Sequence, residues 1–367
     1  TNLMSPDKVA ACMGKEGGPV FRGLVEQLGA DGMLTLGWPE QYGGKNFTAI
    51  EQLILFEEAW KTHAPFPLIT LNSVAPSLMA FGTEEQKQTF LPQISAGKCI
   101  FAIGYAEPGS GTDLASLKTK AEFDGEHWII NGTKRFNTGV HRATHDLVFA
   151  RTSGEPGQAR GITAFLVPTD APGFSVPYYW WTFNMPTDHG EVELDNVRVP
   201  ADAVLGELDR GLEVGQTFLH ENRIRQAASS LGAAQYCIDR AVAYAGERSV
   251  FGKPLAVNQA VQWPLVELQT EAQMVRLLVY YAASHLDGNH HMEVSDKVSM
   301  ANYRANRLVC EAADRAMQVF GGVGYSRHEP FEHIYRHHRR YRITEGAEEI
   351  QIRRVAQRLF GFGRGAR

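Results

Sequence analysis

GYAEPGSGTDLASLKTKA, residues 104–121, packs a Glu-Pro turn, glycines, hydroxyls and an acid into a few positions. Glycine has no Cβ, so such a loop lets the main chain lie close against a flat, polar ligand. The stretch also marks a change of texture. Upstream, AIEQLILFEEAWKTHA (49–64) and TEEQKQTFLPQIS (83–95) space apolar residues at helical intervals. Thr83 followed by Glu84, Glu85 and Gln86 has the form of an N-cap and first turn, and GWPEQYGG (37–44) is a turn-rich loop. Downstream, HWIINGTKRF, DLVFARTS, GITAFLVPTD and EVELDNVRVP are short β-rich runs bounded by Gly, Pro, Asn and Asp. No helical pattern separates them, which implies antiparallel pairing in a compact barrel or sandwich.

Beyond Gly211 helical periodicity returns near 213–246, 257–287 and 293–320, with a shorter segment after Gly346. Pro264 implies a kink or a late start in the second of these. Long helices with short connections form a bundle. The expected fold is mostly α around a central β domain: helical domain 1–100, β domain 101–212, four-helix-bundle-like domain 213–367. A chain of 367 residues suits two or three domains.

Hydrophobic residues are 44% and charged residues 21%, with a net charge of −5 and no long single-sign run, so a general nucleic-acid binder is not expected. No apolar stretch reaches bilayer length and the N-terminus lacks a signal-peptide pattern, so a soluble, cytoplasmic protein is expected. Cys12, Cys99, Cys237 and Cys310 are scattered, without a C-x-x-C pair. They read as reduced core residues, and no metal is expected.

Residues 104–121, together with ITEGAEEIQ (343–351), resemble the acyl-CoA dehydrogenase family, whose cofactor loop reads roughly A-x-T-E-P-x-x-G-S-D. The resemblance runs over nearly the whole chain and implies FAD as cofactor. It places the isoalloxazine against the loop at 103–112 (Ile103, Tyr105, Ala106, Gly111, Thr112) and against Phe136, Asn137 and Thr138. Thr138 matches a hydroxyl near flavin N5 and Phe136 an aromatic that packs on the ring. An isolated Thr or Phe would be only turn or core. Ala106 replaces the Thr usual before Glu-Pro, which removes one hydroxyl contact to the pyrimidine edge.

ERSVFGKPLAVNQAV (247–261) resembles the run that reaches the FAD of a neighbouring subunit, through Arg248, Phe251 and Gln259. QVFGGVGY (318–325) matches the glycine turn along the same cofactor, with Gln318, Gly321 and Gly322, although a lone Gly-Gly is ordinarily a helix stop. Ala347 and Glu349 stand at two further cofactor positions, where Thr and Gln are common.

Glu345 matches the catalytic base that takes the α-proton of the acyl thioester while hydride leaves the β-carbon for flavin N5. In the family its backbone N–H and a ribityl hydroxyl hold the thioester oxygen. The ordinary role of one Glu near a helix start is dipole complementation. Thr112, Asn222, Arg223 and Gly346 match substrate positions. Some relatives carry their base just before that arginine; Asn222 stands there and cannot accept a proton, and Glu221 is one residue off. Thr344 replaces a Tyr common in the family, and its smaller side chain would widen the acyl pocket that the resemblance implies.

The expected partners are an acyl-CoA, electron-transfer flavoprotein as acceptor, and further copies of the chain as a dimer of dimers or a related subunit in a mixed assembly. The competing activities are a flavin monooxygenase or oxidase of the same fold and a non-catalytic partner subunit. WPEQYGG and residues 103–121 look like actinobacterial dehydrogenases for steroid side chains and other bulky acyl-CoAs. RHHRRYR (336–342) reads as a structural or interface run, and Trp180 and Trp181 as interface or core.

Overall fold

The computed structural model describes all residues except 1–4, 13–16, 62, 63, 65, 184–187, 218, 287–293 and 363–367. Its helices are α1 (Pro6–Cys12), α2 (Pro19–Ala30), α3 (Ala49–Lys61), α4 (Ala75–Phe81), α5 (Glu84–Ser95), α6 (Gly211–Thr217), α7 (Leu219–Glu247), α8 (Gln259–Ser284), α9 (Ser295–Phe320), α10 (Phe331–Arg339) and α11 (Glu348–Phe360). The strands are β1 (Phe101–Gly104), β2 (Lys120–Phe123), β3 (His127–Thr138), β4 (His145–Arg151), β5 (Ile162–Pro168), β6 (Phe174–Trp180), β7 (His189–Pro200), β8 (Val204–Leu205), β9 (Ser249–Val250) and β10 (Lys253–Pro254). By packing, the chain divides into Thr1–Asn46 with Pro65–Leu219, and Phe47–Ala64 with His220–Arg367.

In the first unit the sheet runs β6-β7-β3-β2-β4-β5-β8, with β1 beside β4. Most neighbours are antiparallel, as the short runs imply, but β1 pairs parallel with β4, and β2 meets β4 parallel at Lys120 and Arg151. The absence of intervening helices did not reveal this, because the loop after β1 and the β2–β3 hairpin form the crossover. Strands β4 and β5 are buried on both faces and so read as continuous apolar runs. Leu147, Phe149 and Leu166 join the helix-side core with Leu24, Leu78, Leu91 and Ile94. Val148, Phe165 and Val167 join the opposite core with Ile130, Val192 and Val199.

Helix α5 begins at the expected cap. Thr83 Oγ1 accepts from Gln86 N–H at 3.2 Å, and Gln86 Oε1 accepts from Thr83 N–H at 3.1 Å. Gln86 also donates to the carbonyls of Asp202 and Val204 at 2.8 and 2.9 Å, tying the helix to the segment around β8.

The second unit is helical. Small residues on α7 (Ala227, Ala228, Ala234) and α9 (Ala301, Ala305, Ala312, Ala316) are buried, which suits closely packed helices. Helix α3, early in sequence, belongs here. A Cβ at Gly232 would lie 2.1 Å from the Glu57 carbonyl oxygen, so α3 and α7 meet backbone to backbone. Buried Glu57 accepts from Arg276 of α8 at 2.7 Å. Pro264 does not delay α8, which starts at Gln259. So near the helix start, the missing N–H removes only the bond to the Ala260 carbonyl. All four cysteines are free and buried. Among the described residues no helix is long and apolar enough to cross a membrane.

Candidate active site

The loop after β1 is held from beneath. Glu107 accepts from Lys118 N–H at 2.6 Å, Thr119 N–H at 2.9 Å and Lys134 Nζ at 2.7 Å. Burial opposes its ionisation, but Lys134 and these donors bring its carboxyl below the ordinary value. The Ala106 carbonyl accepts from Arg135 N–H at 2.8 Å, joining the loop to β3. Ile103 and Tyr105 turn into the helix-side core, with Tyr105 stacked on Phe149 at 4.3 Å.

The outer edge of the loop is open. Added Cβ atoms at Gly109 and Gly111 would meet nothing within 4 Å, and Thr112 is exposed. Beside it the β3–β7 ladder bulges between Arg135 and Asn137. Phe136, at φ 59°, presents a ring that is 51% exposed. Asn137 instead points inward, its side-chain amide donating to buried Asp146, so only its backbone faces the ladder. Thr138 is half-buried, with Oγ1 2.9 Å from His189 Nδ1. Trp180 donates to Glu191 at 3.1 Å, while Trp181 is exposed and is not core.

In the second unit Glu345 lies between the turn at 340–342 and α11, at φ 57°, followed by Gly346 at φ 89°. Arg223 grips the Glu345 carbonyl with Nε at 2.9 Å and Nη2 at 2.6 Å. The Asn222 side chain stands beside the Glu345 carboxylate and favours its charged form. Burial pushes that carboxyl above its ordinary value, while the Arg223 charge and Asn222 pull it back. Burial, helped by Arg354, also lowers the Arg223 guanidinium to about 10. The Glu345 backbone N–H has no partner among the described residues, and Arg223 Nη1 and Thr344 Oγ1 are buried without one.

A polar lattice that the sequence reading missed carries this loop. Gln351 Nε2 donates to the Gly346 carbonyl at 3.2 Å and to Asn302 Oδ1 at 2.7 Å. Asn302 Nδ2 donates to the Arg223 carbonyl at 2.7 Å, and Asn306 Nδ2 to the Tyr341 carbonyl at 3.0 Å. The available signal was Asn302 and Asn306, four residues apart on an alanine-rich helix face.

Helix-dipole complementation falls to Glu348, in the first turn of α11. Arg342 and then Arg307 hold its carboxyl down to about 2. Glu221 is paired with Arg225 at 3.1 Å. The run 336–342 is largely structural: Arg336 pairs with Glu332 at 2.6 Å, and buried His337 and His338 pack on Trp60.

Most of the remaining positions gather at the far end of α7. Phe251 and Gly252, at φ 52° and 78°, form the β9–β10 turn, and Phe251 is 102% exposed. Arg248, Gln259, Gln318, Gly321 and Gly322 are exposed there, whereas half-buried Ala347 and exposed Glu349 open α11, next to the Glu345 loop. Arg248 has no side-chain partner among the described residues. Tyr244 of α7 stacks on Phe320 of α9 at 4.0 Å, which brings Arg248 and Phe251 beside the Gln318–Gly322 turn.

Models of the N-terminal, middle and C-terminal domains of acyl-CoA dehydrogenases match residues 6–98, 102–197 and 209–360. The chain belongs to the acyl-CoA dehydrogenase family. It is 36% identical over 329 residues to "Acyl-CoA dehydrogenase FadE26" of Mycobacterium tuberculosis, covering 87% of this chain and 81% of that protein. The ChsE4-ChsE5 complex from Mycobacterium tuberculosis superposes with a TM-score of 0.90 at 33% identity, over 99% of this chain and 94% of that one. The structure titled "Tcur3481-Tcur3483 steroid ACAD" gives 0.89 at 32% identity, over 98% and 94%.

Acyl-CoA dehydrogenases are typically FAD-dependent, and the residues present fit that group. The open backbone at Gly109 and Gly111 and the exposed Phe136 ring suit a flat heterocycle. The unpaired Arg248 guanidinium suits a pyrophosphate.

Proposed function

We propose that the chain removes hydrogen from the α and β carbons of an acyl-CoA thioester to give the trans-2-enoyl-CoA, with FAD as cofactor. The observation that carries this is Glu345: a carboxylate made more basic by burial, on a loop fixed through its own carbonyl, beside a free backbone donor. In this reading Glu345 takes the α-proton, and its N–H, with Arg223 Nη1, meets the thioester end of the substrate. FAD, when bound, takes the hydride. The 103–112 loop, Phe136 and Thr138 hold its ring, while Arg248, Phe251, Gln259 and the 318–322 turn hold the FAD of another copy. Asn222 orients the base, and Thr112 and Gly346 border the substrate.

The substrate proposed is a bulky acyl-CoA, with Thr344 leaving room where a Tyr is common, and electron-transfer flavoprotein is the proposed acceptor. The relatives titled as a ChsE4-ChsE5 complex and as Tcur3481-Tcur3483 favour a mixed assembly as the second reading beside a homotetramer. The reading keeps a helical part to residue 100, a strand part at 101–212 and a bundle at 213–367, in a cytoplasmic protein.

The test is anaerobic reduction of the FAD-loaded protein by a panel of acyl-CoAs. Glu345→Gln retains FAD and slows flavin bleaching by about 10²–10⁴-fold. Glu221→Gln bleaches at near the parent rate, because its partner is Arg225. Near-parent bleaching in Glu345→Gln together with loss in Glu221→Gln would move the base to α7.

A further inference from the structure

Thr138 and His189 face each other across the β3–β7 ladder. His189 Nδ1 lies 2.9 Å from Thr138 Oγ1, and on the other side of the ring Nε2 lies 3.2 Å from Asp188 Oδ1. His189 and Asp188 are buried, whereas Thr138 is half-buried beside the exposed Phe136 ring. The hydroxyl therefore stands between a buried imidazole and the open face. Its other partner, the Phe136 carbonyl, is at 3.4 Å. Asp188 Oδ1 lies near Nε2 without completing a hydrogen bond to it, and its negative charge favours a proton on that nitrogen, so Nδ1, which faces Thr138, is where the ring takes up or gives up its second proton.

A hydroxyl has one hydrogen. When Nδ1 is protonated it donates to Thr138, whose hydrogen then points outward. When Nδ1 is bare it accepts that hydrogen, and Thr138 turns a lone pair outward. We propose that His189 is a positioning residue that sets, through one proton on Nδ1, whether Thr138 donates to or accepts from the flavin. This rests on the FAD reading given above. FAD, when bound there, would present a ring nitrogen that accepts a hydrogen bond in the oxidised cofactor and donates one in the reduced cofactor, so the hydroxyl would serve in both senses.

The other charged and titratable groups near the ring are few. Arg142 and His141 stand in the turn after β3, Arg142 within 3.3 Å of a Cβ added at Gly139. Arg135 pairs with Glu191 at 2.9 Å further along the ladder, and β6 places Trp180 opposite His189. Of these side chains, His189 is the one that contacts the Thr138 hydroxyl.

The test uses the FAD-loaded protein without substrate and follows the visible flavin band between about pH 5 and 8. The expected result is a one-proton band shift that is lost in His189→Gln and in Thr138→Val, and retained in Thr138→Ser. Asp188→Asn moves its midpoint to lower pH, because the imidazolium loses its carboxylate. A band that does not change with pH, or a shift that survives in His189→Gln, overturns the proposal. Survival in Thr138→Val alone also overturns it, since the imidazolium would then act through space rather than through the hydroxyl. Failure of the parent protein to take up FAD overturns the FAD reading itself, and is distinguished by the absence of any flavin band.

Discussion

Glu345 shows how one residue is made basic and held still by different neighbours. Its left-handed backbone is a conformation that a non-glycine residue adopts at some cost, and Arg223 and Gln351 fix it through the carbonyls of Glu345 and Gly346. Asn222 acts on the carboxylate alone. Asn222→Ala removes an amide that favours the charged form, so the Glu345 carboxyl rises further above its ordinary value. As the proposed base, Glu345 works only when ionised. The acid limb of the pH–rate profile is therefore expected to move to higher pH in Asn222→Ala, with the alkaline plateau largely kept. Rates of flavin reduction across pH check this; an unmoved limb removes Asn222 from the electrostatics of the base.

At the level of elements, the apolar face of a strand is often also where a buried charge hides. β4 reads as a plain strand in DLVFARTS, yet Asp146 at its start is fully buried, against Asn137 and the Gly104 N–H, and near Lys134. Burial raises its carboxyl to about 7. Between pH 4 and 7 the folded chain holds a proton that the unfolded chain has lost, so stability falls as pH rises through that window and levels above it. Asp146→Asn removes that dependence. Its stability relative to the parent is expected to grow from about pH 4 to 7, by at most roughly 4 kcal/mol, as read by urea denaturation at several pH values. The same strands show what sequence reading reaches. Period and turn residues placed the β runs and the Thr83 cap, because those signals are local. The parallel β1–β4 pairing, the Glu107–Lys134 ion pair and the Asn302–Gln351 lattice join residues 27 to 49 positions apart, or neighbouring strands without a local signal. Helix α3 looked like part of an N-terminal domain; nothing in AIEQLILFEEAWK announces that Glu57 meets Arg276.

On the scale of the whole molecule, α7 separates two groups of candidate positions. Arg223, at the Glu345 loop, and Arg248, beside the glycine turn, stand near its opposite ends, and a helix rises about 36 Å between them. In the proposed reading, a dinucleotide at Glu345 lies far along α7 from Arg248 of the same chain, so these exposed groups are expected to serve another copy. Two inactive variants then repair each other. In Glu345→Gln the base is gone but Arg248 remains, and in Arg248→Glu the pyrophosphate donor is gone but Glu345 remains. A dimer of one chain of each kind has one site with both residues intact, whereas each homodimer has none. Equal co-expression followed by random pairing should restore about a quarter of the parent activity per chain. Flavin content and acyl-CoA turnover of the mixed and separate preparations measure it. No recovery in a verified mixed dimer would mean that Arg248 serves its own chain, and the shared-cofactor reading would fall.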